Sequence, residues 1–220
     1  MPISSKHRPA ASTILSGEIH EPNTIEFMIA NCSDGDIVHA GTFFGDFLPA
    51  LSQSLSPGAT IWAFEPNPEN YRCAQITTYI NGLTNIELAN AGLGERNEAL
   101  SMVTTDDRGR ALGGTSRLIG KNGEATVGII ETVQMVTVDE QLEIDRKVSI
   151  IQLDIEGHEK QALSGAIKTI QRHLPIIILE DWAESDLFNS KWFSENILEL
   201  GYQESGELHG NKFFISKSKQ

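Results

Sequence analysis

Residues 153 to 159 read LDIEGHE and follow directly on the apolar run KVSII. Asp154, Glu156, His158 and Glu159 crowd around Gly157. Three carboxylates and an imidazole at the end of a greasy strand have two uses. Acids suit a helix N-terminus, where they offset unpaired N–H groups and the dipole. They also suit the edge of an active site. There His158 is the first candidate base, because its unperturbed pKa lies near neutral. Asp154, at the strand end, is expected at the reacting centre. Glu156 and Glu159 fall in the first turns of the next helix and are expected to be mainly structural.

Other strand-like runs end on comparable residues. DIVHA (36–40) leads into Gly41-Thr42-Phe43-Phe44-Gly45, a turn that lets the backbone approach a ligand and starts a helix whose N–H groups face it. TIWAFE (60–65) ends on Glu65, 24 positions beyond Gly41, near the roughly 20 expected of a ribose-binding acid. NIELANA (85–91) runs into Asn90 and Ala91, a small-residue turn able to flank an adenine. LPIIILE (174–180) ends on Glu180, with Asp181 next. Asp154, Glu180 and Asp181 supply hard oxygen ligands suited to Mg2+, which would orient an acceptor and lower its pKa. LHGN (208–211) forms the tip of a closing hairpin and brings His209, the second candidate base, and Asn211 to the same edge if the preceding strand runs parallel to the others.

These residues need a scaffold that aligns strand ends. The strand-like runs alternate with helical ones at 45–55, 67–80, about 157–172 and around Leu187 to Leu198. Asn67 reads as the cap of the second helix and Pro68 as its first position. Alternation of this kind predicts a doubly wound, mostly parallel sheet whose ligands sit beyond the carboxyl ends of the strands. ALSMVTT and TVGIIETVQMVTV read as extra strands flanking a long loop, 106–124, that carries Arg108, Arg110 and Arg117. A loop of this length is expected to act as a lid, with its arginines available to an anionic acceptor. The chain is expected to be one domain over 14–220, preceded by a loose tail over 1–13.

Composition narrows the functions. The 220 residues carry 40% hydrophobic and 21% charged side chains, an ordinary globular balance. A formal net charge of −13 repels phosphate-rich partners, so direct nucleic-acid binding is not expected. Cys32 and Cys73 lack the spacing of a disulfide framework or a zinc site. No run approaches the ~20 apolar residues of a membrane span, and the N-terminus lacks an apolar signal core. The expectation is a cytoplasmic protein with no membrane partner.

VHAGTFFGDF, FEPNPENY, TVDEQL, LDIEGHEKQALSGA and PIIILE together resemble the FkbM family of S-adenosylmethionine-dependent methyltransferases, over about residues 21 to 214. The resemblance implies the class I methyltransferase fold: a Rossmann-like three-layer α/β structure with a mostly parallel seven-stranded sheet and a C-terminal antiparallel hairpin strand. It implies that Gly41 and Gly45, with Thr42 and Phe43, cradle the methionine part of the cofactor. Glu65, with Pro66 and Asn67, would hold the ribose, Asn90 and Ala91 would lie by the adenine, and Asp154 would sit beneath the sulfonium. Family members usually carry Asp at His39, often Asn at Phe43, and commonly Lys at Gln152. With His39 in place of an acid, Asp36, Asp46 or Asp154 would have to neutralise the cofactor's ammonium group.

The expected function is O-methyl transfer from S-adenosyl-L-methionine to a hydroxyl of a small-molecule, sugar or natural-product acceptor, with Mg2+ as an alternative activator. Two other readings stay open. One is a module that binds the cofactor without catalysis. The other is a nicotinamide-dependent oxidoreductase, which the G-x-x-x-G spacing disfavours. The oligomeric state is open, a homodimer included.

Overall fold

The computed structural model describes residues 1–32, 34–118, 128–181 and 185–217. Helices α1 (Pro9–Leu15) and α2 (Pro22–Asn31) lead into β1 (Asp36–Ala40), α3 (Leu48–Ser54), β2 (Ile61–Phe64), α4 (Pro68–Ile80) and β3 (Ile86–Ala89). A middle section holds β4 (Gly92–Leu93), β5 (Glu98–Val103), β6 (Arg117–Leu118) and β7 (Ile130–Val136). The chain continues through α5 (Val138–Gln141), β8 (Val148–Leu153), α6 (Glu159–Ser164), α7 (Ile167–His173), β9 (Ile176–Glu180), α8 (Lys191–Asn196), β10 (Tyr202–Leu208) and β11 (Asn211–Ser216).

Seven strands form the main sheet in the order β10-β11-β9-β8-β1-β2-β3. All neighbours pair in parallel except β11, which is antiparallel to β9 and β10. This is the doubly wound sheet with a closing hairpin strand that the sequence predicts. Alternate residues of each central strand point to opposite faces. Ile37, Ile61, Ile150 and Ile178 pack under α2 and α3. Val38, Ile151, Leu153, Ile177 and Leu179 pack under α6, α7 and α8. Two cores on two faces explain why β8 and β9 read as unbroken apolar runs. Each fully buried Leu or Ile side chain is worth roughly 1.5–3 kcal/mol.

The extra strands form a second sheet, β4-β7-β5-β6. Of the loop expected over 106–124, residues 106–118 are described and 119–124 lie outside the described residues. Asp106 folds the first part on itself by accepting from the backbone N–H of Arg108 and Arg110. The described remainder lies on the main sheet's edge, where Asn67 donates to Ser116 Oγ at 3.1 Å and Asn70 to the Gly113 carbonyl at 3.2 Å.

Two expectations are corrected. The stretch read as a loose tail, 1–13, contains a 3-10 turn, Ile3–Ser5, and most of α1. Ala11 of α1 is fully buried against Phe43 and Phe44. The short helix has little pattern of its own, and the rings of Phe43 and Phe44 on the main body supply its docking surface. The helix expected over 157–172 is broken into α6 and α7. Gly165 presses so close to the second sheet that a Cβ there would meet the Gly94 carbonyl oxygen at 2.0 Å. Asp139 then caps α7 from outside, accepting from the N–H groups of Lys168 and Thr169.

Asp36 fastens the sheet at the end opposite the strand tips. Its carboxylate accepts from Thr60 N–H, from Trp62 Nε1 and from two guanidinium nitrogens of Arg146. A bidentate pair of this kind, its Asp36 buried and its Arg146 part-buried, ties β1, β2 and the approach to β8 together. Asp36→Ala should destabilise the fold by about 2–4 kcal/mol, since it strands Arg146 and two N–H donors, and should leave ligand affinity at the far edge unchanged. Urea unfolding checks this; a loss below about 0.5 kcal/mol, the scale of an ordinary surface change, would contradict it.

Candidate active site

The carboxyl ends of β1, β2, β8 and β9 converge on one cleft. Two glycine-dependent contacts make that possible. Gly41 follows β1 at φ +83°, and a Cβ there would stand 1.9 Å from the Asp154 carbonyl oxygen. Only glycine lets the two strand ends touch backbone to backbone. Gly45 has φ +80° and packs against Leu48 and Ala74, which fixes the start of α3. Thr42 turns inward, with its hydroxyl on the His39 carbonyl at 3.2 Å. Gly45 and Thr42 shape the loop without lining the cleft's two cavities.

The first cavity is a chamber of about 40 Å³ over the end of β2, lined by Glu65, Pro66, Leu93, Met102 and Met135 among others. Glu65 is only 4% exposed. It accepts from Phe43 N–H at 2.8 Å, from Asn67 N–H at 2.9 Å and from Asn70 Nδ2 at 3.3 Å. Burial raises its pKa to about 7, while those donors pull it back. Asn67 caps α4 as expected, accepting from Glu69 and Asn70. Asn90 holds the turn after β2 by donating to the Glu65 and Pro66 carbonyls. Asn90 and Ala91 therefore support the chamber, and their neighbours Gly92 and Leu93 line it.

The second cavity, about 250 Å³, lies over β1, β8 and β9 and shares Gly41, Gly114, Asp154 and Glu156 with the first. Five carboxyl groups face it: Glu21, Asp46, Asp154, Glu156 and Glu180. Burial, then the charges of Asp154 and Glu156, push Glu180 up to about 9. Burial also raises Asp154, which accepts a hydrogen bond from Glu180, so the two share a proton. Glu21 and Glu156 are pushed up to about 7 by burial and by Asp154. Asp46 reaches about 7, chiefly through burial.

Several sequence-derived roles change here. The carboxylates that meet are Asp154, Glu156 and Glu180, whose oxygens lie within 4.8 Å of one another. Asp181, expected in that group, points outward and pairs with Lys212 at 3.0 Å. Glu156, expected to be structural, takes its place. Its backbone is left-handed at φ 57°, which turns the side chain back toward the cleft and leaves Oε2 buried without a hydrogen-bond partner among the described residues. Glu159 is structural as expected, with its carboxylate on the N–H groups of Ile155 and Gly157. Asp36 cannot serve the cofactor, because it is tied to Arg146 at the opposite edge.

His158 lines the small chamber, as Asp154 and Glu156 do, and an adjoining cavity of about 440 Å³, but not the acid-lined cavity. Burial lowers its pKa to about 4, so it is neutral and weakly basic. His209, at the hairpin tip with φ 52°, does not line these cavities. Its neighbour Asn211 donates to Glu21 at 3.0 Å. His39 hydrogen-bonds Gln152 directly across β1 and β8, and its ring stacks on Phe47. Burial lowers His39 to about 4, so this pair is uncharged. Glu21, His20 and Arg8 escaped the sequence reading, since all three come from the N-terminal region that carries no strand-end signal.

The family described as the Methyltransferase FkbM domain matches residues 38–203. A methyltransferase FkbM structure from Methylobacillus flagellatus KT superposes with a TM-score of 0.57 at 20% identity, covering 83% of this chain and 43% of that one. The chain thus spans less than half of that protein's length. A putative rRNA-methylase from Clostridium thermocellum gives a TM-score of 0.51 at 9% identity, covering 87% and 91%. At these identities the likeness is one of fold. A search of curated proteins finds no match. Among the described residues no helix is long and apolar enough to cross a membrane. With the matched region running from β1 to β10 and containing Gly41, Glu65 and Asp154, the chain belongs to the FkbM methyltransferase family.

Proposed function

We propose that the protein binds S-adenosylmethionine across the two joined cavities and transfers its methyl group to a hydroxyl of a small acceptor. One observation carries this reading: Gly41, Glu65 and Asp154 border a single continuous cleft at the carboxyl ends of adjacent parallel strands. The cofactor supplies an activated methyl group on a positively charged sulfur. The residues present suit it. Glu65 offers its carboxylate to the ribose, Met102, Met135 and Leu93 offer apolar surface to the adenine, and the acid-lined cavity suits sulfonium and ammonium charges.

Asp154 is the group best placed to take the acceptor's proton. With the cofactor bound as methyl donor, Asp154 would take the acceptor's hydroxyl proton, and Glu180, which already shares a proton with it, would help hold it. His158, expected as the base, borders the adenosine side and is too weak a base for that role. His209 remains a more remote alternative. The three oxygens of Asp154, Glu156 and Glu180 support a second reading, in which they hold Mg2+ that activates the acceptor.

Glu65→Gln should weaken S-adenosylhomocysteine binding about tenfold or more, by loss of a charge-assisted hydrogen bond to the ribose. The 2′-deoxy analogue should lose less. Equal affinities of wild type and variant in calorimetry would remove Glu65 from the ribose.

Asp154→Asn should lower turnover by ~10²-fold or more, whereas His158→Ala should retain turnover within about threefold if it serves no proton transfer. The assay is product formation at saturating acceptor. The reverse pattern would return the base to His158. Activity lost to EDTA and restored by Mg2+ in the same assay would favour the metal reading over proton transfer to Asp154.

A further inference from the structure

The acid-lined cavity contains one side chain with a fixed positive charge among the described residues that line it. That side chain is Arg8. It stands just before α1, outside the residues that match the FkbM family. Its position is built. The backbone N–H bonds the Ser5 carbonyl, one guanidinium nitrogen donates to Thr115 Oγ1, and its stem lies against Gly113, where an added Cβ would come within 3.2 Å of Arg8 Cγ. Its Nε is buried and has no hydrogen-bond partner among the described residues.

We propose that Arg8 binds the α-carboxylate of the cofactor's amino-acid part. This rests on the reading of the cleft as an S-adenosylmethionine site. The cofactor brings two positive groups, which the carboxyls around Asp154 receive, and one negative group, which those same carboxyls repel. A carboxylate in this cavity needs a cation, and a guanidinium meets it with two parallel hydrogen bonds. The remaining basic residues on the cavity, His20 and His39, do not compete. Burial lowers both, and His39 is spent on Gln152. Arg8 is held at Thr115, so the N-terminal segment and the Gly113–Ser116 cover close over the same end of the ligand.

Calorimetry with three ligands tests this: S-adenosylhomocysteine, its decarboxylated analogue S-adenosyl-3-thiopropylamine, and 5′-methylthioadenosine. Arg8→Gln should weaken S-adenosylhomocysteine about tenfold or more, the scale of a lost charge-assisted pair. It should change the affinity of the two ligands without a carboxylate by less than about twofold. Arg8→Lys keeps the charge but loses the fork, and should recover part of the affinity. It carries the comparison on its own if circular dichroism shows that the glutamine variant does not fold. Unchanged S-adenosylhomocysteine affinity, or equal losses for all three ligands, would overturn the assignment. A wild-type protein that binds none of the three would overturn the cofactor reading itself.

Discussion

The carboxylate of Asp154 is the charge on which the site is arranged. After burial itself, it is a recurring cause of the raised pKa values of Glu21, Asp46, Glu65, Glu156, Glu159 and Glu180. So many acids around one point at a sheet edge cannot all ionise cheaply. Some keep their protons, as Glu180 does beside Asp154. The protein thereby stores a proton reservoir next to the place where a positively charged cofactor would sit. These folded-state values exceed the ordinary carboxyl range near 4, so the folded chain binds more protons than the unfolded one between about pH 4 and 9. The stability these groups contribute is present at low pH and is lost as pH rises through that window.

The rest of the structure keeps this crowding in place. Asp36 and Arg146 hold the opposite end of the sheet, where a paired charge is favourable. The Gly41–Asp154 contact brings β1 and β8 close enough for one ligand to touch both. His39 and Gln152 add a neutral hydrogen-bonded pair across the same two strands. The φ of 51° at Phe43 suits Asn better, yet its N–H still serves Glu65 and its ring gives α1 a surface to cover.

Much of this was legible in the sequence because parallel strands advertise themselves as apolar runs and place functional residues at their ends. Gly41, Glu65, Asp154 and Glu180 were found by that rule. Asp181 was misplaced because one residue of alternation separates facing the cleft from facing Lys212. Glu156 was misread because its left-handed backbone reverses the direction a first helical turn would give. Arg8 and Glu21 were missed for a different reason. They belong to short N-terminal elements with no periodicity of their own, and their positions depend on docking against Phe43, Phe44 and Asn211. The break between α6 and α7 is also tertiary in origin, set by the Gly94 carbonyl and the Asp139 cap.

The central claim is that the acid cluster around Asp154 receives the cofactor's positive charge. A cation arriving there lowers the neighbouring carboxyl pKa values, so protons must leave on binding. Calorimetric titration near pH 7.5, in two buffers of different ionisation enthalpy, counts them. S-adenosylmethionine should release protons, and more of them than S-adenosylhomocysteine, which lacks the sulfonium charge. Proton uptake, or equal counts for the two ligands, would contradict the account.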